Sequence, residues 1–321
     1  MAPPRAREFV LDHLAAFDDE ALRTFLAPGD WGVDPRRLGI ALHGAENDDL
    51  AMRVADALPA PANVQMVASR GKTATEATVD RARRHVVNRL FWALLYWHDP
   101  TGYEELVAGE HIHSELLESI PLGGRVVADL GCGAGRFTLF AARHARRVIA
   151  VDAVPALLDR LAERARAERI DNLDIRRGGF CNLPIDDASV DIAVACSSLT
   201  SHAPWGGDAA LDEARRVVRP GGEVVVIWPD DPSWFTARGF SYVTVTGNEE
   251  MHFADAKTAE RVCRSFYSDA AGDWVRDRGA ASVPFAVLGV RPPNDACFLR
   301  VGVEATQRPY DGSHPHPGVR I

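Results

Sequence analysis

The stretch VVADLGCGAGRF, residues 126–137, constrains the fold of this chain more than any other segment. An apolar run ends on an acid, and Gly131, Gly133 and Gly135 then alternate with small residues before a second apolar segment begins. Glycine loses more conformational freedom on folding than any other residue, so such a cluster indicates a backbone that must stay free of side chains. The pattern predicts a strand, a sharp turn that approaches a ligand closely, and a helix.

From Arg125 onward, short apolar runs alternate with amphipathic segments. This alternation predicts an α/β fold with a doubly wound, mostly parallel sheet and right-handed crossovers. Ligands bind such sheets beyond the carboxyl ends of the strands, where the glycine turn is expected. The predicted strands are RVVADL, VIAVD, LDIRR, SVDIAVACS, GEVVVIW, FSYVTVTG, PFAVLGVR and CFLRVGV, and the helices include FTLFAARHARR, PALLDRLAERARAERI, AALDEARRVV and AKTAERVCRSFYSDA.

The first 120 residues have helical periodicity instead. TVDRARRHVVNRLFWALLYW predicts one long helix, and YEELVAGEHIHSELLESI predicts a shorter helix after it. We therefore predict a helical N-terminal region over residues 1–96 that acts as a lid or substrate cap, an α/β domain over 97–303, and a loose tail over 304–321.

The composition restricts the classes of partner. A formal net charge of −9 disfavours a nucleic-acid partner, since phosphates would be repelled. The longest apolar run, FWALLYW, is too short to span a bilayer, so no membrane partner is expected. The cysteines are Cys132, Cys181, Cys196, Cys263 and Cys297, and no two of them form a CxxC pair. This pattern favours a reducing, cytoplasmic setting. A homodimer is left open.

The glycine spacing separates two classes of ligand. A dinucleotide site needs GxGxxG, whereas this chain has GxGxG, with Arg136 where the third dinucleotide glycine would stand. Asp129 lies two residues before the first glycine, where a carboxylate would repel an anionic pyrophosphate. A ligand that carries an ammonium and a sulfonium suits that acid better.

Three motifs in this order resemble those of class I S-adenosylmethionine-dependent methyltransferases: DLGCGAGR, VDAVPALLDRLAERA and RVVRPGGEVVVIW. The resemblance covers roughly residues 97–302 and is greatest to the small-molecule branch related to quinone-biosynthesis methyltransferases. It implies a seven-stranded Rossmann-like sheet and S-adenosyl-L-methionine as the cofactor. It also implies direct in-line transfer of the methyl group to a small-molecule substrate.

The resemblance also implies roles for individual residues. Asp129 would face the methionine ammonium, and Asp152, followed by Ala153, would bind both ribose hydroxyls. The carbonyl of Cys196 would contact the methionine amine. The turn residues that would pass beneath the cofactor are Gly131, Cys132, Gly133 and Gly135.

The adenine contact departs from the family pattern. Family members commonly have Gly-Asp within the segment that reads RRGGFCNLPI here, and this chain has Gly179 and Phe180 instead. Adenine would then be held by the backbone near Phe180 and Cys181, or by a stacked ring. Phe180 is equally compatible with a place in the core, and Cys132 is interpreted as a small filler rather than a nucleophile.

Two residues are candidates for catalysis. His202 follows the fourth strand, and imidazole suits general-base work near neutral pH, although a solvated loop histidine is the alternative. Tyr103 precedes the first motif at a distance where family members fold a helix over the cofactor. No metal is expected, because the side chains of His111 and His113 would not share a helical face.

Three alternative functions are weighed against the small-molecule methyltransferase. An RNA- or protein-modifying methyltransferase is disfavoured by the acidic balance. A non-catalytic cofactor-binding module is the second alternative, and the missing adenine acid favours it. A nicotinamide-dependent dehydrogenase is contradicted by the glycine spacing.

Overall fold

The computed structural model describes residues 3–26, 33–44, 48–202, 206–247 and 249–302. The helical N-terminal region begins with two 3₁₀ helices, Pro4–Glu8 and Leu11–Ala16. The α-helices that follow are α1 Asp19–Phe25, α2 Pro35–Ala41, α3 Asp48–Ala57, α4 Ala62–Arg70, α5 Glu76–Arg89, α6 Phe91–His98, α7 Pro100–Ala108 and α8 Ser114–Ser119. Among the described residues, no helix combines the length and the apolar character that crossing a membrane requires.

The single long helix predicted for residues 78–97 is wrong, because the chain breaks at Leu90 between α5 and α6. Leu90 has φ −93° and ψ 8°, outside regular helical geometry. Whereas α5 is amphipathic, α6 buries Phe91 and three of the four residues that follow it. The break at Leu90 separates α6, which is mostly buried, from α5, whose polar face stays exposed.

The shorter helix predicted for residues 103–120 is also divided. Helix α7 ends at Ala108 with Gly109 as its C-cap, and α8 begins after His113, whose Nδ1 accepts a hydrogen bond from the N–H of Glu115 at 3.2 Å. Glycine favours the end of a helix, and a side-chain acceptor at the N-cap favours the start of the next. Local capping therefore overrides the continuous periodicity of this segment.

The doubly wound, mostly parallel seven-stranded sheet is confirmed in the described part of the chain, as is the N-terminal helical extension. The strand order is β3-β2-β1-β4-β5-β9-β6, with β9 antiparallel to both of its neighbours. The strands of this sheet are β1 Val126–Leu130, β2 Arg147–Asp152, β3 Leu173–Arg177, β4 Val190–Cys196, β5 Val218–Ile227, β6 Ser241–Thr244 and β9 Asp295–Arg300.

Helices cover both faces of the sheet, as parallel strands require. Strands β1 and β4 are buried on both faces, and β3 and β6 form the edges. The remaining helices and strands are α9 Thr138–Ala142, α10 Pro155–Ala167, α11 Gly207–Val217, α12 Pro232–Thr236, β7 Glu250–His252, α13 Ala256–Phe266, α14 Asp269–Arg278, β8 Ser282–Pro284 and α15 Phe285–Leu288.

The predicted strand PFAVLGVR is wrong. Pro284 ends β8, Phe285–Leu288 form α15, and Gly289 directly after this helix has a left-handed conformation (φ 72°). Short apolar runs do not distinguish a strand from a buried helical turn by periodicity, and the glycine here terminates a helix. The predicted strand CFLRVGV corresponds to β9, and FSYVTVTG corresponds to β6.

The contacts divide the chain into two compact units. Of the described residues, the first unit contains 3–26, 33–44, 48–109, 202 and 252–289, and the second contains 110–201, 206–247, 249–251 and 290–302. Within the first unit, Arg261 and Glu105 form an ion pair that joins α13 to α7. The first unit also includes residues 252–289, which begin at the last residue of β7, and the predicted boundary between residues 96 and 97 stays a prediction. The predicted tail, 304–321, lies outside the described residues.

Candidate cofactor site

The turn between β1 and α9 is built from bare backbone. Gly131, Gly133 and Gly135 have φ angles of 71°, 53° and 99°, in the left-handed region that favours glycine. A methyl group added to Gly131 would lie 2.5 Å from Cβ of Ser198 and 2.8 Å from Cζ of Phe180. Close packing of the Ser198 and Phe180 side chains therefore requires glycine at position 131, and the approach of this turn to a ligand stays a prediction.

The carboxyl end of β2 holds the turn in place. The N–H groups of Gly131 and Cys132 both donate to the carbonyl of Val151, at 2.8 and 3.0 Å. The N–H of Gly133 donates to Oδ2 of Asp152 at 2.9 Å. Burial raises the pKa of the Cys132 thiol well above its usual range, which agrees with its interpretation as a filler.

Asp129 is a buried acid with one oxygen unpartnered. Its side chain is 1% exposed, and the hydroxyl of Thr138 donates to Oδ2 at 2.5 Å. Among the described residues, Oδ1 has no hydrogen-bond partner. Burial raises the pKa of Asp129 to about 7, and the nearby charge of Asp152 contributes to the rise. An orphaned acceptor of this kind fits a cationic donor supplied by a ligand.

Asp152 ends β2 beside the turn. Oδ1 accepts a hydrogen bond from the N–H of Val154 at 2.9 Å, and Oδ2 accepts the bond from Gly133. Each carboxylate oxygen has a second lone pair, so this group can still accept two hydroxyl hydrogens. Burial raises the pKa of Asp152. The carbonyl of Ala153 accepts a hydrogen bond from Nε of Arg177 at 3.3 Å.

The segment after β3 brings Phe180 to the turn. Its ring is partly buried, contacts Gly131 and packs against the sheet core. Gly179 forms an isolated bridge with Asn182, and Cys181 between them is exposed. The ring therefore touches both the core and the bare backbone, and its role toward adenine stays a prediction.

The carboxyl end of β4 is tied to that of β1. The Ser198 hydroxyl donates to the carbonyl of Leu130 at 2.6 Å. Ser197 has φ 54°, a left-handed conformation that is costly for a residue with a side chain. Cys196 precedes this strained residue and lies partly buried at the strand end.

Four further residues contribute side chains to this site although the sequence predicts no role for them: Glu110, Arg136, Thr138 and Ser198. The Nη1 of Arg136 donates to Oε2 of Glu110 at 3.1 Å and to the Glu110 carbonyl at 3.2 Å. The Nη2 of Arg136 donates to Sγ of Cys196 at 3.5 Å. Arg136 was visible in the motif as the residue in place of a dinucleotide glycine, whereas nothing local marked Glu110.

The two candidates for catalysis belong to the first unit. Tyr103, on α7 in the first unit, packs edge-on against Tyr96 with ring centroids 4.8 Å apart. His202 is the last described residue before a gap, and its contacts group it with the first unit. The structure does not test either role. His98 stacks on His13 at 3.9 Å, and no group of three or more metal-ligating side chains occurs among the described residues.

Comparison with known proteins gives one family match and several partial relatives. Residues 127–222 match a family model described as a methyltransferase domain. A probable S-adenosylmethionine-dependent methyltransferase from Mycolicibacterium smegmatis is 39% identical over 107 residues, which are 33% of this chain and 39% of that protein. The malonyl-[acyl-carrier protein] O-methyltransferase of Yersinia pestis is 38% identical over 104 residues, 32% of this chain and 36% of that protein.

A solved structure, the [4+2]-cyclase SpnF, is 20% identical, with a TM-score of 0.41; the match covers 63% of this chain and 94% of that chain. The chain spans less than half the length of the two curated relatives. The matched segment of residues 127–222 contains the glycine turn, Asp129 and Asp152.

Proposed function

We propose that this chain, which belongs through its domain at residues 127–222 to the class I S-adenosylmethionine-dependent methyltransferases, transfers a methyl group from S-adenosylmethionine to a small molecule. One observation carries the proposal. The buried Asp129 has an oxygen without a partner among the described residues, and it stands beside a turn of bare backbone. The family match and the arrangement of Asp129 beside the glycine turn both support S-adenosylmethionine as the ligand.

The residues of the second unit fit each part of the cofactor. The unpartnered Oδ1 of Asp129 would accept a hydrogen bond from the ammonium of the amino-acid tail. Asp152 would accept hydrogen bonds from the two ribose hydroxyls, since its oxygens keep a lone pair each. The glycines would let the backbone pass beneath the nucleoside, and Phe180 would contact its base.

The bound cofactor supplies a methyl group activated by a sulfonium. The chain contributes binding and orientation. Holding the acceptor and the methyl group in line makes the step effectively unimolecular, which supplies a large part of the rate. A site from which water is excluded also prevents loss of the methyl group to solvent. The lid role of the N-terminal region and the contact of Tyr103 with a ligand are parts of this proposal.

Calorimetric titration of the full chain tests the cofactor assignment. We expect S-adenosylhomocysteine to bind and NADH not to bind. Incubation with S-adenosylmethionine and a metabolite extract should then yield a small-molecule product 14 mass units heavier. Binding without any methylated product would instead support a non-catalytic module, and absence of binding would refute the proposed function.

The acceptor class is tested in the same assay. The net charge of −9 supports a small molecule over a nucleic acid. Because the Yersinia pestis relative is named for an acyl-carrier protein, acyl groups on carrier proteins form a second set of offered acceptors. Methylation confined to RNA or to a carrier-bound substrate would overturn the small-molecule part of the proposal.

His202 is the proposed general base for an oxygen or nitrogen acceptor. We expect His202→Ala to lower kcat about 100-fold, the lower end of general-base effects, because proximity supplies much of the rate. The Kd for S-adenosylhomocysteine should not change. His144→Ala is the matched control, since His144 is exposed and precedes β2 at the amino-terminal edge of the sheet. Equal kcat values in the two variants would remove His202 from the mechanism.

A further inference from the structure

We infer that Arg136 binds the carboxylate of the cofactor's amino-acid tail, with Glu110 as the residue that positions its guanidinium. This inference rests on the proposed function and deepens it. Asp129 and Arg136 would then recognise the two opposite charges of one zwitterionic group. The sequence motif implied a role for Asp129 only, and the inferred role of Arg136 comes from the structure.

The geometry places the guanidinium between two strand ends. Arg136 follows the glycine turn directly, and its side chain is only 21% exposed. Its Nη2 points to Sγ of Cys196, the last residue of β4, at 3.5 Å. The charge of Arg136 also acts on the buried Asp129, whose pKa it lowers. The base therefore stands within electrostatic reach of the proposed ammonium site.

The charges around the turn favour a base beside the carboxylate of this ligand. Asp129 and Asp152 make the cradle acidic, which favours the ammonium and repels the carboxylate of the same tail. Arg136 is the one cationic residue in the segment 126–138, and Arg164 reaches the turn from α10, where its Nη1 donates to the carbonyl of Ala134 at 3.1 Å. Thiol sulfur is a weak acceptor, whereas a guanidinium forms strong, charge-assisted bonds with a carboxylate. Exchanging Sγ of Cys196 for a carboxylate oxygen at Nη2 would thus strengthen the contact.

Glu110 holds the guanidinium in its orientation. The Glu110 side chain is 10% exposed, and Nη1 of Arg136 donates both to Oε2 and to the Glu110 carbonyl. Two acceptors on one nitrogen fix the plane of the guanidinium and leave Nη2 directed at the end of β4. Glu110 also balances the charge of a largely buried base, which would otherwise be costly.

The test compares ligands that differ only in the tail. S-adenosylhomocysteine has ammonium and carboxylate, S-adenosyl-3-thiopropylamine has only the ammonium, and 5′-methylthioadenosine has neither. We expect Arg136→Gln to raise the Kd for S-adenosylhomocysteine about 10-fold to 100-fold, the range for loss of a hydrogen bond to a charged group. Calorimetry measures this change. The Kd values of the other two ligands should change less than about threefold.

Asp129→Asn distinguishes recognition of the ammonium from recognition of the carboxylate. It should weaken binding of both ligands that carry the ammonium and leave the Kd for 5′-methylthioadenosine unchanged. Arg143→Gln removes an exposed arginine that pairs with Glu168 and is the matched control for loss of one positive charge. An Arg136→Gln variant that weakens all three ligands equally, or none of them, overturns the inference. A wild-type chain that binds none of them overturns the proposed function instead.

Glu110→Gln tests the positioning role. We expect a smaller loss, about threefold to tenfold, confined to S-adenosylhomocysteine, because the Arg136 side chain remains but is less constrained. The melting temperature distinguishes this from a purely structural role. A variant that melts lower and weakens all three ligands together would show that Glu110 serves stability alone.

Discussion

Replacing Asp152 with alanine is expected to raise the Kd for S-adenosylhomocysteine about 1000-fold. The proposed contact consists of two hydrogen bonds from ribose hydroxyls to a carboxylate, and each bond to a charged group is worth about 1.5–3 kcal/mol. The same carboxylate accepts the N–H of Gly133, so its loss also loosens the glycine turn. Calorimetry or competition binding at pH 8 measures the change.

Two controls separate the ribose contact from the support of the turn. Asp159→Ala removes an exposed acid of the neighbouring helix α10 and should leave the Kd unchanged. The 2′-deoxy form of S-adenosylhomocysteine should bind the wild type more weakly than the parent ligand. In Asp152→Ala that difference should vanish, because the acceptor is absent. If the variant still discriminates between the two ligands, Asp152 does not bind the ribose.

The glycine turn and the sheet could be predicted because local signals determine them. Three spaced glycines after an apolar run have few structural solutions, and alternation of strands and helices restricts the topology to a doubly wound sheet. The break at Leu90 and helix α15 could not be predicted in the same way. In both places the periodicity is ambiguous, and packing of apolar residues into a core decides the local structure.

The polar side chains of the candidate site could likewise be predicted only in part from the sequence. Asp129 and Asp152 stand at strand ends that the motifs define, so their positions followed from the sequence. Thr138 and Glu110 reach the site through side-chain hydrogen bonds between residues 9 and 26 positions apart. Such contacts depend on how α9 and the segment before α8 pack on the sheet, which no local pattern encodes.

The pH dependence of stability gives a second large effect, measured with Asp129→Asn. The pKa of Asp129 is raised from 3.8 to about 7, so the folded chain keeps a proton that the unfolded chain releases above pH 4. The stabilising contribution of this group is therefore complete below pH 4 and is lost as the pH rises to about 7. Between pH 5 and pH 8 the shift corresponds to about 2–3 kcal/mol.

Urea unfolding at pH 5 and pH 8 measures this contribution. The free energy of unfolding of the wild type should fall between these values by about 2–3 kcal/mol more than that of Asp129→Asn. The exposed Asp159→Asn should follow the wild type. Parallel pH profiles for the wild type and Asp129→Asn would show that the buried acid is already ionised at pH 5.

Cofactor affinity should change with pH in the opposite direction. Only the ionised Asp129 pairs fully with an ammonium, so the affinity of the wild type for S-adenosylhomocysteine should rise about tenfold from pH 6 to pH 8. The affinity of Asp129→Asn should be nearly constant over this range. The same ionisation that destabilises the free chain is then the one that binds the ligand, because an unpaired buried charge is costly until a cation arrives. The Asp129→Asn variant could instead be stable and insensitive to pH and yet keep the wild-type affinity at pH 8. That result would show that Asp129 affects stability but not ligand binding, and it would exclude Asp129 from the ammonium site.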